Sequence, residues 1–258
     1  MTASSAAADR TNALIAIARD AGRAIMAIYA GAPAAREKAD RTPVTDADEA
    51  AEAIIVAALE RLTPAIPIVA EERMARGVRP AIDAGPFWLV DPLDGTREFL
   101  NRNGEFTVNI ALIERGRPVA GIVYVPAKGS VYGGDERGAF REDDGGARRS
   151  IRVRVPPAAG VTVMASRSHN NAETQAFVQT LRVAAYAEAG SSLKFCAIAE
   201  GAADVYPRLG RTMEWDTAAG QAVLAAAGGS VTTVAGAPLT YGKPDFVNPN
   251  FVARGCTG

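Results

Sequence analysis

The chain predicts a layered fold of helices and sheets, with an α+β half over about residues 1–155 joined to an α/β half over about residues 156–258. Three features predict it. Apolar residues recur at helical spacing through the first helical stretches, β-rich runs broken by turn residues fill the middle, and helical and strand patterns alternate after Pro156-Pro157. At 258 residues the chain can bury a substantial core, and the seam at Pro156-Pro157 is short, so the halves are expected to act as one domain.

In order along the chain, Leu14, Ile15, Ala18, Ile25 and Ile28 form one apolar stripe, which Gly31 and Pro33 stop. A second helix is predicted from Thr45, with Ala51, Ile54, Ile55, Ala58, Leu59 and Leu62 on its apolar face. Pro67 to Ala70 reads as a short strand running into Glu71 and Glu72, and Phe87 to Val90 as another ending on Asp91. Thr107 to Glu114 and Pro118 to Val125 are β-rich runs around Arg115-Gly116-Arg117, a hairpin signal. Short strands are predicted near Val131, Phe140 and Ile151 to Val155, with Gly133-Gly134 and Asp143-Asp144-Gly145-Gly146 as breaks. Beyond the seam the pattern predicts a strand at Val161 to Ala165, then helices at Ala172 to Leu181 and Ser192 to Glu200. A strand at Ala203 to Tyr206, a helix at Asp216 to Ala227 and a strand at Val231 to Val234 complete it.

Composition narrows the function. Hydrophobic residues make up 48% and charged residues 22%, ordinary for a soluble globular chain and against disorder. The formal net charge of −1 leaves no bulk positive field for nucleic acid or an anionic membrane, so any anion site must be local. No apolar run approaches the roughly 20 residues needed to span a bilayer. Met1 to Arg10 has no secretory pattern. Cys196 and Cys256 stand outside any CxxC or Cys/His cluster, against a disulfide scaffold or a thiolate zinc site. A cytoplasmic protein is expected.

The run from Trp88 to Phe99, Trp-Leu-Val-Asp-Pro-Leu-Asp-Gly-Thr-Arg-Glu-Phe, carries the most chemistry. A buried strand delivers Asp91, Pro92 bends the chain, and Asp94 points back toward the same place. Gly95 permits a tight turn, and Thr96 opens a helix. Two carboxylates three residues apart, with the Leu93 carbonyl between them, offer three oxygens to hard cations such as Mg²⁺. The helix start adds amides for a phosphate. Val69-Ala-Glu-Glu72 repeats the pattern of a strand ending in acid, so Glu71 or Glu72 is a further candidate ligand. Asp216, within Met213 to Gly220, stands where a helix should begin, a position that also suits an N-cap. Thr45 and Asp48 have capping-box spacing, with Asp in place of the usual Glu or Gln.

Together PVTDAD, VAEE, DPLDGTREF and EWDTAAG, in this order and over nearly the whole chain, resemble the lithium-sensitive, Mg²⁺-dependent phosphatase superfamily of inositol monophosphatases and fructose-1,6-bisphosphatases. The resemblance implies a sugar-phosphatase-like αβαβα fold and two or three Mg²⁺ ions. It makes Glu71, Asp91, the Leu93 carbonyl, Asp94 and Asp216 the metal ligands, Glu71 being preferred because the family uses the first acid of the pair. Asp48 and Thr96 match the pair that orients and activates the attacking water, with no covalent phosphoenzyme. Li⁺ is the implied inhibitor.

Ala165-Ser-Arg-Ser-His-Asn170, Gly190-Ser-Ser-Leu-Lys-Phe-Cys196 and Tyr206-Pro-Arg208 resemble one branch, the CysQ-type 3′(2′),5′-bisphosphate nucleotidases. Glu98 to Asn109 and Val247-Asn-Pro-Asn250 add to the likeness. The branch hydrolyses 3′-phosphoadenosine 5′-phosphate, and with it 3′-phosphoadenosine 5′-phosphosulfate, in sulfur assimilation and nucleotide recycling. Such a substrate carries a second phosphate that needs its own donors. Ser191, Lys194 and Arg208 would supply them, with Gly190 and Ser192 in the same loop. Ser166 and Ser168 would add hydroxyl contacts, His169, the sole histidine, would lie beside the nucleotide, and Gly95, Thr96 and Asp216 would meet the scissile phosphate. Inositol monophosphatase or fructose-1,6-bisphosphatase activity stays open. A non-catalytic phosphonucleotide sensor is disfavoured because both Asp48 and Thr96 are present. The sequence is neutral on oligomeric state and leaves open a peripheral contact with the cytoplasmic face of the inner membrane.

Overall fold

A computed structural model of the chain describes residues 3–31, 35–37, 43–166 and 171–256. The first part contains α1 (Ala3–Tyr29), β1 (Ala35–Glu37), β2 (Pro43–Thr45), α2 (Asp46–Leu62), β3 (Ile68–Ala70), α3 (Glu71–Ala75), β4 (Phe87–Asp94) and α4 (Thr96–Leu100). A run of strands follows: β5 (Thr107–Glu114), β6 (Arg117–Val125), β7 (Ser130–Asp135), β8 (Gly138–Asp143) and β9 (Arg149–Ile151). The remainder is β10 (Val161–Ser166), α5 (Ala172–Gln179), β11 (Val183–Ala189), α6 (Leu193–Ala199), β12 (Val205–Arg208), α7 (Ala218–Ala226), β13 (Ser230–Thr233) and β14 (Phe251–Arg254).

Strands β3 to β9 form one seven-stranded sheet in chain order, parallel only between β3 and β4. A second sheet of five strands has the order β11-β10-β12-β14-β13, with β10 parallel to both neighbours and β14 antiparallel to both of its own. The pair β1 and β2 forms a small antiparallel ribbon.

Side-chain alternation along β4 and β5 sorts the core into layers. Trp88, Val90, Ile110 and Leu112 pack with Leu14, Ile25 and Ile55, so α1 and α2 cover one face of the large sheet. Phe87, Leu89, Ala111 and Ile113 join Phe195, Ala218 and Val223 on the other face, where α6 and α7 lie between the two sheets. A third cluster of Val163, Val178, Val205 and Val252 seats α5 on the outer face of the small sheet. The result is the expected αβαβα stack. Strands buried on both faces read as continuous apolar runs, which is why Phe87 to Val90 was legible in the sequence.

The structure departs from the sequence expectation in several places. Gly133-Gly134 is not a break but lies inside β7. A Cβ on Gly134 would sit 2.6 Å from the Ala222 carbonyl oxygen, so this glycine lets α7 close onto the sheet. The strand predicted to reach Val155 ends at Ile151, and the Val153 amide bonds the Ala227 carbonyl at 3.1 Å instead. Strands β11 and β14 were not predicted. The first is an alanine-rich edge strand whose Tyr186 is 64% exposed, and the second is a four-residue interior strand between β12 and β13. Among the described residues, no helix is long and apolar enough to cross a membrane.

Candidate active site

Strand register builds the acidic centre. Ala70 pairs with Val90 across the parallel β3/β4 ladder, so the residues that follow, Glu71 and Asp91, emerge side by side. The β4/β5 ladder is irregular between Asp91 and Asp94, where Pro92 has no amide to offer, and Asp91 Oδ1 accepts the Leu93 amide at 3.0 Å. Asp216 arrives from the other half of the chain, on the turn that precedes α7. That helix begins at Ala218, not at Asp216, and Asp216 is no N-cap: its Oδ2 accepts the Met213 amide at 2.8 Å.

One carboxylate oxygen from each of Glu71, Asp91 and Asp216 lies within 4.8 Å of the other two. Burial, reinforced by the charges of Asp94 and Glu71, pushes the Asp216 carboxyl well above the usual carboxylate range. Burial also raises Asp94, against the pull of Lys194 and of hydrogen bonds from Ser192 and Asn109. Carboxylates that repel one another out of water are relieved by a cation. The donors are all oxygens, which suits a hard divalent ion, and the residues present fit a metal site.

Asp94 is held by a network whose members are distant in sequence. Its Oδ2 accepts the Ser192 amide at 2.7 Å and the Asn109 Nδ2 at 3.3 Å. The Ser192 hydroxyl donates to the Asp216 carbonyl at 2.9 Å and accepts from Asn109 Nδ2 at 2.9 Å. Ser192, expected at the substrate, is therefore buried and turned inward, where it ties Asp94 to Asp216. Asn109 was missed as a site residue. Its signal was a fully buried amide in β5, directly before the apolar run Ile110 to Ile113.

Asp48 occupies two positions at once. Its Oδ2 accepts the Thr45 amide at 2.8 Å and the Thr45 hydroxyl at 2.7 Å, completing a capping box at the start of α2. Its Oδ1 accepts from Thr96 Oγ1 at 3.3 Å. Thr96 opens α4, and Gly95 before it has φ +94°, a left-handed backbone in which a Cβ would strike the Ser191 hydroxyl.

A cavity of about 750 Å³ is lined by Glu71, Asp91, Asp94 and Asp216 and also by Lys194 and Arg208. Lys194 is only 6% exposed. Its Nζ donates to the Ala189 carbonyl at 3.3 Å and lies 5.3 Å from the centre of the Tyr206 ring. Burial lowers its pKa to about 8, so it is no solvated surface charge. Arg208 donates through Nη2 to the Arg211 carbonyl at 3.2 Å, while its buried Nε has no partner among the described residues. Arg79, Arg97 and Arg211 line the same cavity and were not picked out in the sequence. The Ser191 hydroxyl lies 2.8 and 2.7 Å from the carbonyls of Asp94 and Glu105, and the Gly190 amide donates to Glu105 Oε2 at 2.9 Å. Gly190 and Ser192 are not among the lining residues. Ser168 and His169 lie outside the described residues, as does the side chain of Ser166 at the end of β10.

Known proteins share the sequence and the fold of this chain. The model of the inositol monophosphatase family matches residues 7–256. The 3′(2′),5′-bisphosphate nucleotidase CysQ of Escherichia coli strain K12 is 48% identical over 240 residues, spanning 91% of this chain and 95% of that protein. CysQ of Salmonella typhimurium is 48% identical over 241 residues with the same coverage. Among solved structures, CysQ from Bacteroides thetaiotaomicron superposes with a TM-score of 0.79 at 36% identity, over 96% of this chain and 98% of that one. An inositol monophosphatase from Anabaena gives 0.74 at 26% identity, over 94% and 89%. These likenesses run through both sheets and through every segment that carries an acid of the cluster: the chain belongs to the inositol monophosphatase family.

Proposed function

We propose that this chain is a Mg²⁺-dependent 3′(2′),5′-bisphosphate nucleotidase that removes the 3′-phosphate of 3′-phosphoadenosine 5′-phosphate, leaving AMP and phosphate, with the 5′-phosphosulfate analogue as a second substrate. One observation carries the reading: the acidic cluster shares its cavity with the buried Lys194 and with Arg208. A substrate with one phosphate needs only the acidic centre and its cations. A nucleoside bisphosphate needs a second set of donors, and the similarity to the CysQ nucleotidases supports the same choice.

Glu71, Asp91, the Leu93 carbonyl, Asp94 and Asp216 are the residues that would hold the ions. Bound there, Mg²⁺ would neutralise the charge of the scissile phosphate and lower the pKa of water. Asp48 and Thr96 orient the attacking water. Thr96 Oγ1 donates to Asp48 Oδ1, so its lone pairs are left to accept a hydrogen bond from that water, and as the hydroxyl takes the water's proton its own passes to the Asp48 carboxylate. Asp48 Oδ2 is committed to Thr45, which keeps the carboxylate from rotating away. Lys194 and Arg208 bind the phosphate that is not cleaved, and Ser166, Ser168 and His169 flank the nucleoside. Both halves of the chain act as one catalytic unit, in the cytoplasm.

Phosphate release from 3′-phosphoadenosine 5′-phosphate, inositol 1-phosphate and fructose 1,6-bisphosphate, each with Mg²⁺ and with or without Li⁺, tests the reading. The nucleotide should have the highest kcat/KM, and millimolar Li⁺ should inhibit by displacing Mg²⁺. Faster turnover of either sugar phosphate overturns the assignment.

A further inference from the structure

Glu52 has no place in the mechanism above, yet its position ties two parts of the site together. It lies on α2, four residues and about one turn beyond Asp48, and is 1% exposed. Its partners among the described residues are on α3, the five-residue helix that opens with Glu71, and at the C-cap that follows it. Oε2 accepts the Glu72 amide at 2.7 Å and the Arg73 amide at 3.2 Å, and Oε1 accepts from Arg76 Nη2 at 2.8 Å.

The reason lies in α3 itself. A helix of five residues cannot hold its own conformation, since nucleation is costly and few hydrogen bonds follow it. Its N-cap is Ala70, which has no side chain able to cap. Glu52 satisfies the first-turn amides in place of a cap and grips the C-cap residue Arg76 as well, so one buried carboxylate spans both ends of the helix.

We propose that Glu52 is a positioning residue for the metal centre: it fixes the short helix that presents Glu71 and locks it to the helix that presents Asp48. The inference rests on the reading of Glu71 as a metal ligand. Through Glu52, α2 sets both the water-orienting carboxylate and one edge of the acidic cluster. Residues that orient metal ligands typically contribute about tenfold to a hundredfold in metal affinity.

The test is direct binding of Mn²⁺ to the purified full chain, read from the electron paramagnetic resonance signal of the free ion, alongside Tm. Wild type should bind Mn²⁺, and Asp91→Asn should lose that binding. Failure of both would sink the metal reading itself, and the inference with it. Glu52→Ala should weaken Mn²⁺ binding about tenfold to a hundredfold, and Glu52→Gln, which keeps an acceptor for the amides but loses the charge facing Arg76, should fall between. If Glu52→Ala does not fold, Glu52→Gln carries the test. Leu59→Ala, a core truncation on the same helix, should lower Tm while leaving Mn²⁺ affinity unchanged. Glu52 variants that bind Mn²⁺ within about twofold of wild type, or a Leu59→Ala variant that weakens binding equally, overturn the proposal, because Glu52 would then act only on stability.

Discussion

Thr96 Oγ1 donates to Asp48 Oδ1 at 3.3 Å, joining two residues 48 positions apart that lie in the first turns of separate helices. Asp48 makes this contact while its other oxygen completes the capping box of α2. One side chain therefore caps α2 and contacts Thr96, and in the proposed mechanism that same contact orients the attacking water.

Thr96→Ala is expected to lower kcat by roughly 10²–10⁴, the usual contribution of a positioned proton acceptor, with little change in Tm. Thr96→Ser should recover most of the loss, since it keeps the hydroxyl. Full activity in Thr96→Ala under saturating Mg²⁺ would remove the pair from the reaction.

Asp216→Asn should abolish metal binding and activity yet leave the metal-free fold at least as stable as wild type. The substitution takes one charge out of a half-buried cluster in which Asp94 and Glu71 repel it. Melting in EDTA is the measurement, and a lower Tm than wild type would contradict it.

The same carboxyls set a pH dependence. Asp94 and Asp216 are both raised above the ordinary value of 3.8, so the fold binds their protons more tightly than the unfolded chain does. Stability of the metal-free protein should therefore fall as pH rises from the ordinary carboxylate range through the raised values. A cation competes with those protons, so the gain in Tm on adding Mg²⁺ should be larger at about pH 8 than at about pH 5. An equal gain at both would count against the acidic cluster as the binding site.

Lys194→Ala should lower kcat/KM for 3′-phosphoadenosine 5′-phosphate about tenfold to more than a hundredfold, the worth of a charge-assisted hydrogen bond of roughly 1.5–3 kcal/mol. Hydrolysis of inositol 1-phosphate should change little. Burial lowers the pKa of Lys194 from 10.5 to about 8, so its charge is present below that value and lost above it. In the wild type, KM for the nucleotide should accordingly rise as pH passes about 8, while KM for inositol 1-phosphate should not. Parallel losses for both substrates would make Lys194 a structural residue.

The sequence by itself determined where the acids stand. Two apolar runs, each ending in acid, are local patterns, and the parallel pairing of β3 with β4 then brings Glu71 beside Asp91. The Asp-Pro-Leu-Asp-Gly-Thr turn, the capping box at Thr45 and the helical stripes are local as well, and each appears close to its predicted place. Tertiary structure alone decided what supports those acids. Asn109 reaches Ser192 across 83 positions, Ser192 turns inward to join Asp94 and Asp216, and Glu52 holds α3 from another helix. It also decided that Gly133-Gly134 admits a helix rather than breaking a strand, and that β14, the last strand in the chain, sits between β12 and β13. The physical reason is that a side chain's hydrogen-bond partner is chosen by packing of distant segments, while periodicity and caps report only neighbours along the chain.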